Sequence, residues 1–377
     1  MPNSKDVAVE HRRIKIWDLE SQYREEREEI LPAVTAVLAR GDFIGGDAVA
    51  EFEAAAAERI GVENVVGVNS GTDALYLALR GLGIGPGDEV ITPPNSFVAS
   101  TATIVQAGAK PVFADVREDQ NFDPEKVEAA ITPRTKAIMV VHMTGRIAPM
   151  NEIMDIARRR GLRVIEDAAQ SCGSTYHGRM SGSFGDVGCF SAHPLKNMNA
   201  CGDAGYMTVQ DPDLAERLRR MRNHGLADRN TVAEWGINSR LDTIQATILK
   251  IRLQNLDDVI ARKRAHVALY RSLLSKKDVF VPPCQPYEFN TFVLFVIQVD
   301  RRDELQKFLA SRRIDTAIHY PIPIHLQPAA KDLGHRRGDF PVVERQASRI
   351  LSLPVHPYLS ADDVRIVAGT INEFYGS

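Results

Sequence analysis

The sequence has no strong excess of charge of either sign. Its 377 residues include 46 Lys and Arg against 49 Asp and Glu, which gives a formal net charge of -3 at pH 7. So balanced a chain offers no broad electrostatic attraction for nucleic acid or an anionic membrane, and an anionic ligand must be held at a local site. We therefore expect neither nucleic acid nor membrane among its partners.

Cysteine and long apolar runs are also scarce. The four cysteines show neither C-x-x-C spacing nor the density of a disulfide framework, which is typical of a reducing compartment. The N-terminal residues lack the apolar core of a signal peptide, and no run of roughly eighteen apolar residues could cross a bilayer. We therefore expect a cytoplasmic protein.

Between residues 65 and 209, short β-rich runs alternate with helical patterns. Several runs are apolar on both faces, as buried strands are. The predicted strands are 65–68, 89–93, 111–114, 137–142, 163–167, 187–191 and 205–209. The predicted helices between them include 72–82, 124–131 and 149–161. This alternation is typical of an α/β layered domain.

The second part of the chain has a different pattern. A long helical region starts at Leu241 and is followed by the Pro-rich stretch 281–289. Beyond it we predict strands at 291–299 and 316–320 and helices at 302–312 and 360–375. We therefore predict an N-terminal segment (1–24) packed on the small domain, a large domain (25–260) and a small α+β C-terminal domain (261–377).

One strand-to-helix turn has the residues of a phosphate site. Ser70, Gly71 and Thr72 lie between an apolar strand and an apolar helix, and they offer two hydroxyls and a small backbone at a helix N-terminus. The same residues also fit a plain helix N-cap. The turn alone does not decide between these two interpretations.

Two further turns carry a carboxylate and a lysine. Asp167 ends an apolar strand, where it could cap a helix, bind a metal or hold a protonated ring nitrogen; no metal-binding cluster accompanies it. Lys196 lies in a loop of small residues after another strand. It is either an ordinary surface charge or a desolvated amine suited to Schiff-base chemistry.

Together, the phosphate turn, the strand-end Asp and the lysine indicate a pyridoxal phosphate site. The chain resembles the DegT/DnrJ/EryC1/StrS family of sugar aminotransferases, which have the fold-type-I architecture. Seven ordered segments carry the resemblance: SGTDAL (70–75), PPNSFVAS (93–100), AGAKPVFADV (107–116), VIEDAAQSCGSTYHG (164–178), GDVGCFSAHPLKN (185–197), GINSRLDTIQA (236–246) and HYPIPIHLQ (319–327). It implies an α/β fold with a mostly parallel mixed sheet in the large domain.

The resemblance also implies the roles of individual residues. Lys196 would be the Schiff-base lysine and Asp167 the partner of the pyridine nitrogen. The remaining cofactor residues would be Gln170 near the phenolic oxygen, Gly71, Thr72 and Ser191 at the phosphate, and Phe97 on the ring face. Asn238 matches a residue that reaches the cofactor phosphate of the neighbouring subunit, so the resemblance implies a homodimer with shared active sites.

The substrate end of the site departs from the family pattern. His142, Met143, Thr144 and Gly145 stand where many members have a His-Leu-Tyr-Gly-like segment, close to the expected sugar pocket. In the small domain, His319, Tyr320 and His325 are candidates for lining that pocket, although a histidine in a Pro-rich turn is often structural.

The resemblance therefore predicts transfer of an amino group from glutamate or glutamine to a keto-sugar, with the sugar linked to a nucleotide. The alternatives are a cyclitol or non-nucleotide keto-sugar substrate, or a catalytically silent regulatory member of the family. Related dehydratases carry His at the Schiff-base position, and Lys196 argues against that activity. A dinucleotide site is disfavoured because no G-x-G-x-x-G follows the first strand.

Overall fold

The computed structural model describes residues 12–377. Its helices are α1 Leu19–Arg40, α2 Asp47–Ile60, α3 Gly71–Gly81, α4 Val98–Gln106, α5 Pro124–Ala129, α6 Met150–Arg160, α7 Pro212–Met221, α8 Thr243–Gln254, α9 Leu256–Leu273, α10 Arg302–Ser311, α11 Pro341–Ala347 and α12 Ala361–Tyr375. Its strands are β1 Asn64–Val68, β2 Glu89–Thr92, β3 Lys110–Phe113, β4 Thr135–Val141, β5 Arg163–Asp167, β6 Thr175–Tyr176, β7 Arg179–Met180, β8 Val187–Ser191, β9 Gly205–Val209, β10 Val279–Phe280, β11 Glu288–Phe289, β12 Phe295–Val299 and β13 Ile350–Leu353.

A seven-stranded sheet forms the centre of the large half of the molecule. Its strand order is β1-β9-β8-β5-β4-β2-β3. The five strands from β8 to β3 are parallel, whereas β9 is antiparallel to both β1 and β8. The predicted α/β class with a mostly parallel mixed sheet is therefore confirmed.

Strand β4 shows why this sheet needs helices on both faces. Ala137 and Met139 pack into the cluster that includes α3 and α7, whereas Ile138 and Val140 pack into the cluster that includes α6. All four side chains are fully buried. Because neighbouring side chains of a strand point to opposite faces, a run that is apolar at every position is covered on both sides.

The C-terminal part builds a second, antiparallel sheet in the order β10-β12-β13, covered by α9, α10 and α12. The strand predicted at 316–320 is wrong: only Ala317 makes a bridge there, to Ser352, because the chain turns into the Pro-rich segment that follows. The boundary predicted at 260/261 falls inside α9, so the division into domains stays a prediction.

The chain before α1 contacts this C-terminal part. Ile14 forms a parallel bridge with Ile314 and is buried in the same apolar cluster as β12 and α12. Helix α1 then packs on α8 of the large half. The part of the predicted N-terminal segment from residue 1 to 11 lies outside the described residues.

Residues 12–377 contain neither a helix suited to cross a membrane nor a side-chain cluster suited to hold a metal ion. None of the helices described there is both long and apolar enough to cross a membrane. Within the same residues, no group of three or more His, Cys, Asp or Glu side chains has an arrangement that could hold a metal ion.

Candidate active site

A cavity of about 460 Å³ opens beyond the carboxyl ends of the parallel strands, the usual ligand position in such sheets. It brings together nine of the eleven site residues predicted from the sequence. They are Gly71, Thr72, Phe97, Asp167, Gln170, Ser191, Lys196, His319 and Tyr320.

The turn before α3 is tightly packed. Ser70 caps the helix, and its side-chain oxygen accepts a hydrogen bond from Asp73 N at 3.1 Å. A Cβ on Gly71 would lie 2.6 Å from Ser191 Cβ, and a Cβ on Gly205 would lie 2.5 Å from the carbonyl carbon of Ser70. Gly71 therefore lets the α3 N-terminus approach the end of β8, and Gly205 lets the start of β9 approach the turn at Ser70.

Asp167 ends β5 in a nearly closed environment, with 6% of its surface exposed. Ser100 Oγ donates a hydrogen bond to its Oδ2 at 2.7 Å, and Ala169 N donates to its Oδ1 at 3.2 Å. Burial raises the pKa of Asp167, while these bonds and the charge of Lys196 oppose the increase. No cation among residues 12–377 lies within ion-pair distance of this carboxylate.

Lys196 lies in the loop after β8. Its backbone N–H donates to His193 O at 2.9 Å, and the next residue, Asn197, donates from Nδ2 to Thr291 O at 3.2 Å. Burial lowers the pKa of Lys196, and the negative charge of Asp167 partly opposes that decrease. A larger fraction of the amine is therefore neutral than for an exposed lysine.

Gln170 connects two sides of the cavity. Its Oε1 accepts a hydrogen bond from Thr144 N at 2.8 Å, and its side chain lines the cavity together with Tyr320. The Tyr320 ring lies 5.9 Å from the ring of Phe97. Burial raises the pKa of Tyr320 to about 12, so its hydroxyl keeps its proton near neutral pH.

His319 is held by the small half of the molecule. Its Nδ1 lies 2.8 Å from Ser352 Oγ, and its ring lies 6.0 Å from the ring of Trp17 in an edge-to-face arrangement. Burial, with a smaller effect of the Lys196 charge, lowers the pKa of His319 to about 4. The imidazole is therefore neutral near pH 7.

Two predicted site residues lie elsewhere. His325 is buried away from the cavity, where its Nε2 lies 3.1 Å from Glu344 Oε1 and its ring 4.7 Å from the ring of Phe340. Asn238 is exposed and does not line the cavity of its own chain. The Pro-rich turn that carries His325 directs it into a local core.

Comparison with known proteins decides the family. The model of the DegT/DnrJ/EryC1/StrS aminotransferase family matches residues 24–372. The chain belongs to this family. The resemblance seen in the sequence is confirmed, and the protein is an aminotransferase with pyridoxal phosphate as its cofactor.

Individual members of the DegT family are similar over nearly the whole chain. The dTDP-3-amino-3,4,6-trideoxy-alpha-D-glucose transaminase of Streptomyces venezuelae is 42% identical, with 96% of each chain covered. The UDP-2-acetamido-2-deoxy-3-oxo-D-glucuronate aminotransferase of Pseudomonas aeruginosa is 37% identical, covering 95% of this chain and 99% of the relative.

Solved structures agree with these matches. S. venezuelae DesV, in complex with a ketimine intermediate, superposes with a TM-score of 0.95 at 42% identity, covering 97% of this chain and 100% of DesV. NtdA from Bacillus subtilis, with bound cofactor PMP, has a TM-score of 0.88 at 29% identity, covering 99% of this chain and 87% of NtdA.

Sequence reasoning missed several residues of this DegT-family site, three of them polar or aromatic side chains. Ser100 bonds to Asp167, while Trp17 and Asp203 line the cavity. Ser100 ends the PPNSFVAS segment, but nothing local indicates which carboxylate its hydroxyl meets. Trp17 comes from a segment distant in sequence from Asp167 and Lys196, and only the folded chain brings it to the site. Asp203 lies in the same loop as Lys196, between β8 and β9.

Proposed function

We propose that this enzyme transfers an amino group from an amino acid, glutamate or glutamine, to a keto-sugar linked to a nucleotide, in amino-sugar biosynthesis. The observation that carries the proposal is that Asp167, Lys196 and the Gly71 turn line one cavity. The names of the dTDP-sugar and UDP-sugar relatives support the substrate class.

The residues present fit pyridoxal phosphate. Asp167 is a nearly buried carboxylate without a cationic partner among the described residues, which suits a protonated ring nitrogen. The turn at Gly71 leaves no room for a Cβ and presents a helix N-terminus, which suits a phosphate. When bound, the cofactor supplies an aldehyde that condenses with amines and a ring that accepts electrons.

Lys196 and Asp167 have complementary tasks in this proposal. Because its pKa is lowered, a larger fraction of Lys196 Nζ is neutral, and this amine would bind the aldehyde carbon with loss of water and later carry a proton between substrate and cofactor atoms. Asp167 would hold the proton on the ring nitrogen. Its hydrogen bonds from Ser100 and Ala169 fix the carboxylate so that it does not need to reorient during the reaction.

The remaining residues bind and orient. We propose that Gly71, Thr72 and Ser191 bind the phosphate and that Phe97 covers one face of the ring. Gln170 would lie at the phenolic oxygen, in an orientation fixed by the hydrogen bond that its Oε1 accepts from Thr144 N. Neutral His319 and protonated Tyr320 would act as hydrogen-bonding groups towards the substrates.

We further propose a homodimer in which Asn238 binds the cofactor phosphate of the partner. Asn238 is exposed and outside its own cavity. The same loop continues to Thr243, whose N–H donates to Phe43 O at 3.1 Å, and Phe43 and Ile44 there are 48% and 58% exposed. These exposed apolar side chains lie beside Asp242 and Thr243, at the end of the loop that carries Asn238, and they support a contact between subunits.

Mixing variants tests the shared site. Lys196→Ala and Asn238→Ala chains would each be impaired alone, but a mixed dimer has one site with both residues intact. Random exchange should therefore restore about a quarter of the wild-type activity. Sedimentation of a fully active monomer would contradict the dimer.

The four cysteines are free, in keeping with a cytoplasmic enzyme. The chain would work there on soluble sugar nucleotides.

Half-reactions test the proposed chemistry. The holoenzyme should lose its visible absorbance when glutamate or glutamine is added and regain it with a nucleotide-linked keto-sugar. Alanine and aspartate serve as control donors. A spectrum unchanged by every donor would contradict the proposal.

A further inference from the structure

Trp17 is a cavity residue to which neither the proposed chemistry nor the family resemblance assigns a role. It precedes α1 and lines the 460 Å³ cavity together with Lys196 and His319. It also lines a smaller neighbouring cavity of about 50 Å³ with Leu195 and Gln22. Trp17 therefore borders two cavities.

The segment that carries Trp17 is held firmly on both sides. Ile14 N donates to Arg313 O and Asp315 N donates to Ile14 O, each at 2.9 Å. On the other side, Asp18 caps α1, and its Oδ1 accepts hydrogen bonds from Ser21 N and Lys15 Nζ. A fixed backbone places the indole reproducibly, which a specificity residue requires.

The Trp17 side chain itself has unused binding capacity. Among residues 12–377 no atom accepts a hydrogen bond from the indole Nε1–H, and the ring contact with His319 is edge-to-face rather than stacked. A broad aromatic ring with a spare N–H donor suits a ligand that presents C–H groups and oxygen atoms together. A pyranose ring has both.

We propose that Trp17 is a specificity-determining residue that contacts the sugar of the amino-acceptor substrate. This inference rests on the proposed function. Trp17 carries no charge with which to hold the carboxylates of an amino-acid donor, so its contribution is to the sugar half-reaction alone. His319, against which the indole packs, forms the adjoining part of the same wall.

Two substitutions separate the parts of this contact. Trp17→Phe keeps an aromatic ring and removes the N–H donor, whereas Trp17→Ala removes both. Phe280→Ala is the matched control, because Phe280 is an exposed aromatic residue of the small half that does not line the cavity. Each holoenzyme is reacted with glutamate or glutamine in one arm, and with dTDP- and UDP-linked 3-amino sugars, in reverse, in the other.

The sugar arm should respond and the donor arm should not. We expect kcat/KM for the sugar half-reaction to fall about 3- to 10-fold in Trp17→Phe and about 10- to 100-fold in Trp17→Ala. The donor half-reaction should stay within about twofold in both variants, and Phe280→Ala should match wild type in both arms.

Fluorescence gives a readout that does not depend on turnover. The chain has two tryptophans, so Trp235→Phe leaves Trp17 as the only one. Adding the amino-sugar nucleotide to this variant without cofactor should change the Trp17 emission.

The contrary results are distinct. Equal losses of kcat/KM in the two half-reactions, or no loss in either, would contradict the role of Trp17 and leave the proposed function standing. A Trp17 emission that stays unchanged at sugar-nucleotide concentrations where wild type reacts would do the same. A wild-type enzyme that reacts with amino donors but with no sugar would overturn the sugar assignment in the proposed function, and this inference with it.

Discussion

Replacing Asp167 with Asn removes one negative charge while keeping the shape of the side chain. Asn Oδ1 can still accept a hydrogen bond from Ser100 or Ala169, which now bond to the carboxylate at 2.7 and 3.2 Å. The perturbation is therefore electrostatic. Only 6% of Asp167 is exposed, so solvent does little to replace the lost charge.

The size of the effect follows from that burial. Losing one member of a buried ion pair costs about 3–5 kcal/mol, so the half-reaction with the amino donor should slow by about 150- to 5,000-fold. The cofactor-free protein, in contrast, should become more stable. Burial raises the pKa of Asp167 above its unfolded value, so ionisation opposes folding as pH increases, and Asp167→Asn should unfold at a higher temperature at pH 7.

Stopped-flow absorbance measures the first effect and thermal unfolding of the cofactor-free protein the second. Asp203→Asn is the comparison, because Asp203 lines the same cavity but is exposed. We expect that variant to react within about fivefold of wild type, since solvent screens an exposed charge. A half-reaction of Asp167→Asn within about threefold of wild type would refute the reasoning and return Asp167 to a capping role.

Three further predictions concern substitutions at Ser100, Gly71 and Lys263. Ser100→Ala removes the 2.7 Å bond to Asp167, so the donor half-reaction should slow by about 10-fold, and an unchanged rate would deny that bond a role. Gly71→Ala places a Cβ 2.6 Å from Ser191 Cβ, so the Kd for pyridoxal phosphate should rise at least about 10-fold by equilibrium dialysis; unchanged binding would contradict the phosphate site. Burial lowers the pKa of Lys263 from 10.5 to about 7. Above pH 7 the unfolded chain therefore keeps a proton that the folded chain has lost, and the free energy of unfolding should rise with pH, by up to ~1.4 kcal/mol per pH unit, relative to Lys263→Met. If urea titrations gave the same pH dependence of the free energy of unfolding for wild type and Lys263→Met, this prediction would be contradicted.

The strands of the main sheet could be predicted from the sequence because strands buried on both faces are apolar at consecutive positions. The predictions at 163–167, 187–191 and 205–209 coincide with β5, β8 and β9. At the edge of the sheet where ligands bind, these three strands have Asp167, Ser191 and Gly205. That local pattern also located Asp167 and the turn at Gly71.

Local pattern failed where partners are distant in sequence. The run at 316–320 has β-forming residues, but pairing there is limited to Ala317. His325 resembled a pocket residue, yet Glu344 and Phe340 hold it in a separate core. No sequence pattern predicted Trp17 as a cavity residue, because its position depends on the pairing of Ile14 with Ile314.

The central claim is that Lys196 is the residue that binds the cofactor covalently. Borohydride reduction of the holoenzyme, followed by proteolysis and mass spectrometry, tests it directly. The account predicts one phosphopyridoxyl adduct per chain, on Lys196, and none in the Lys196→Ala protein treated in the same way. An adduct on the nearby buried Lys263, or on any other lysine in place of Lys196, would contradict it.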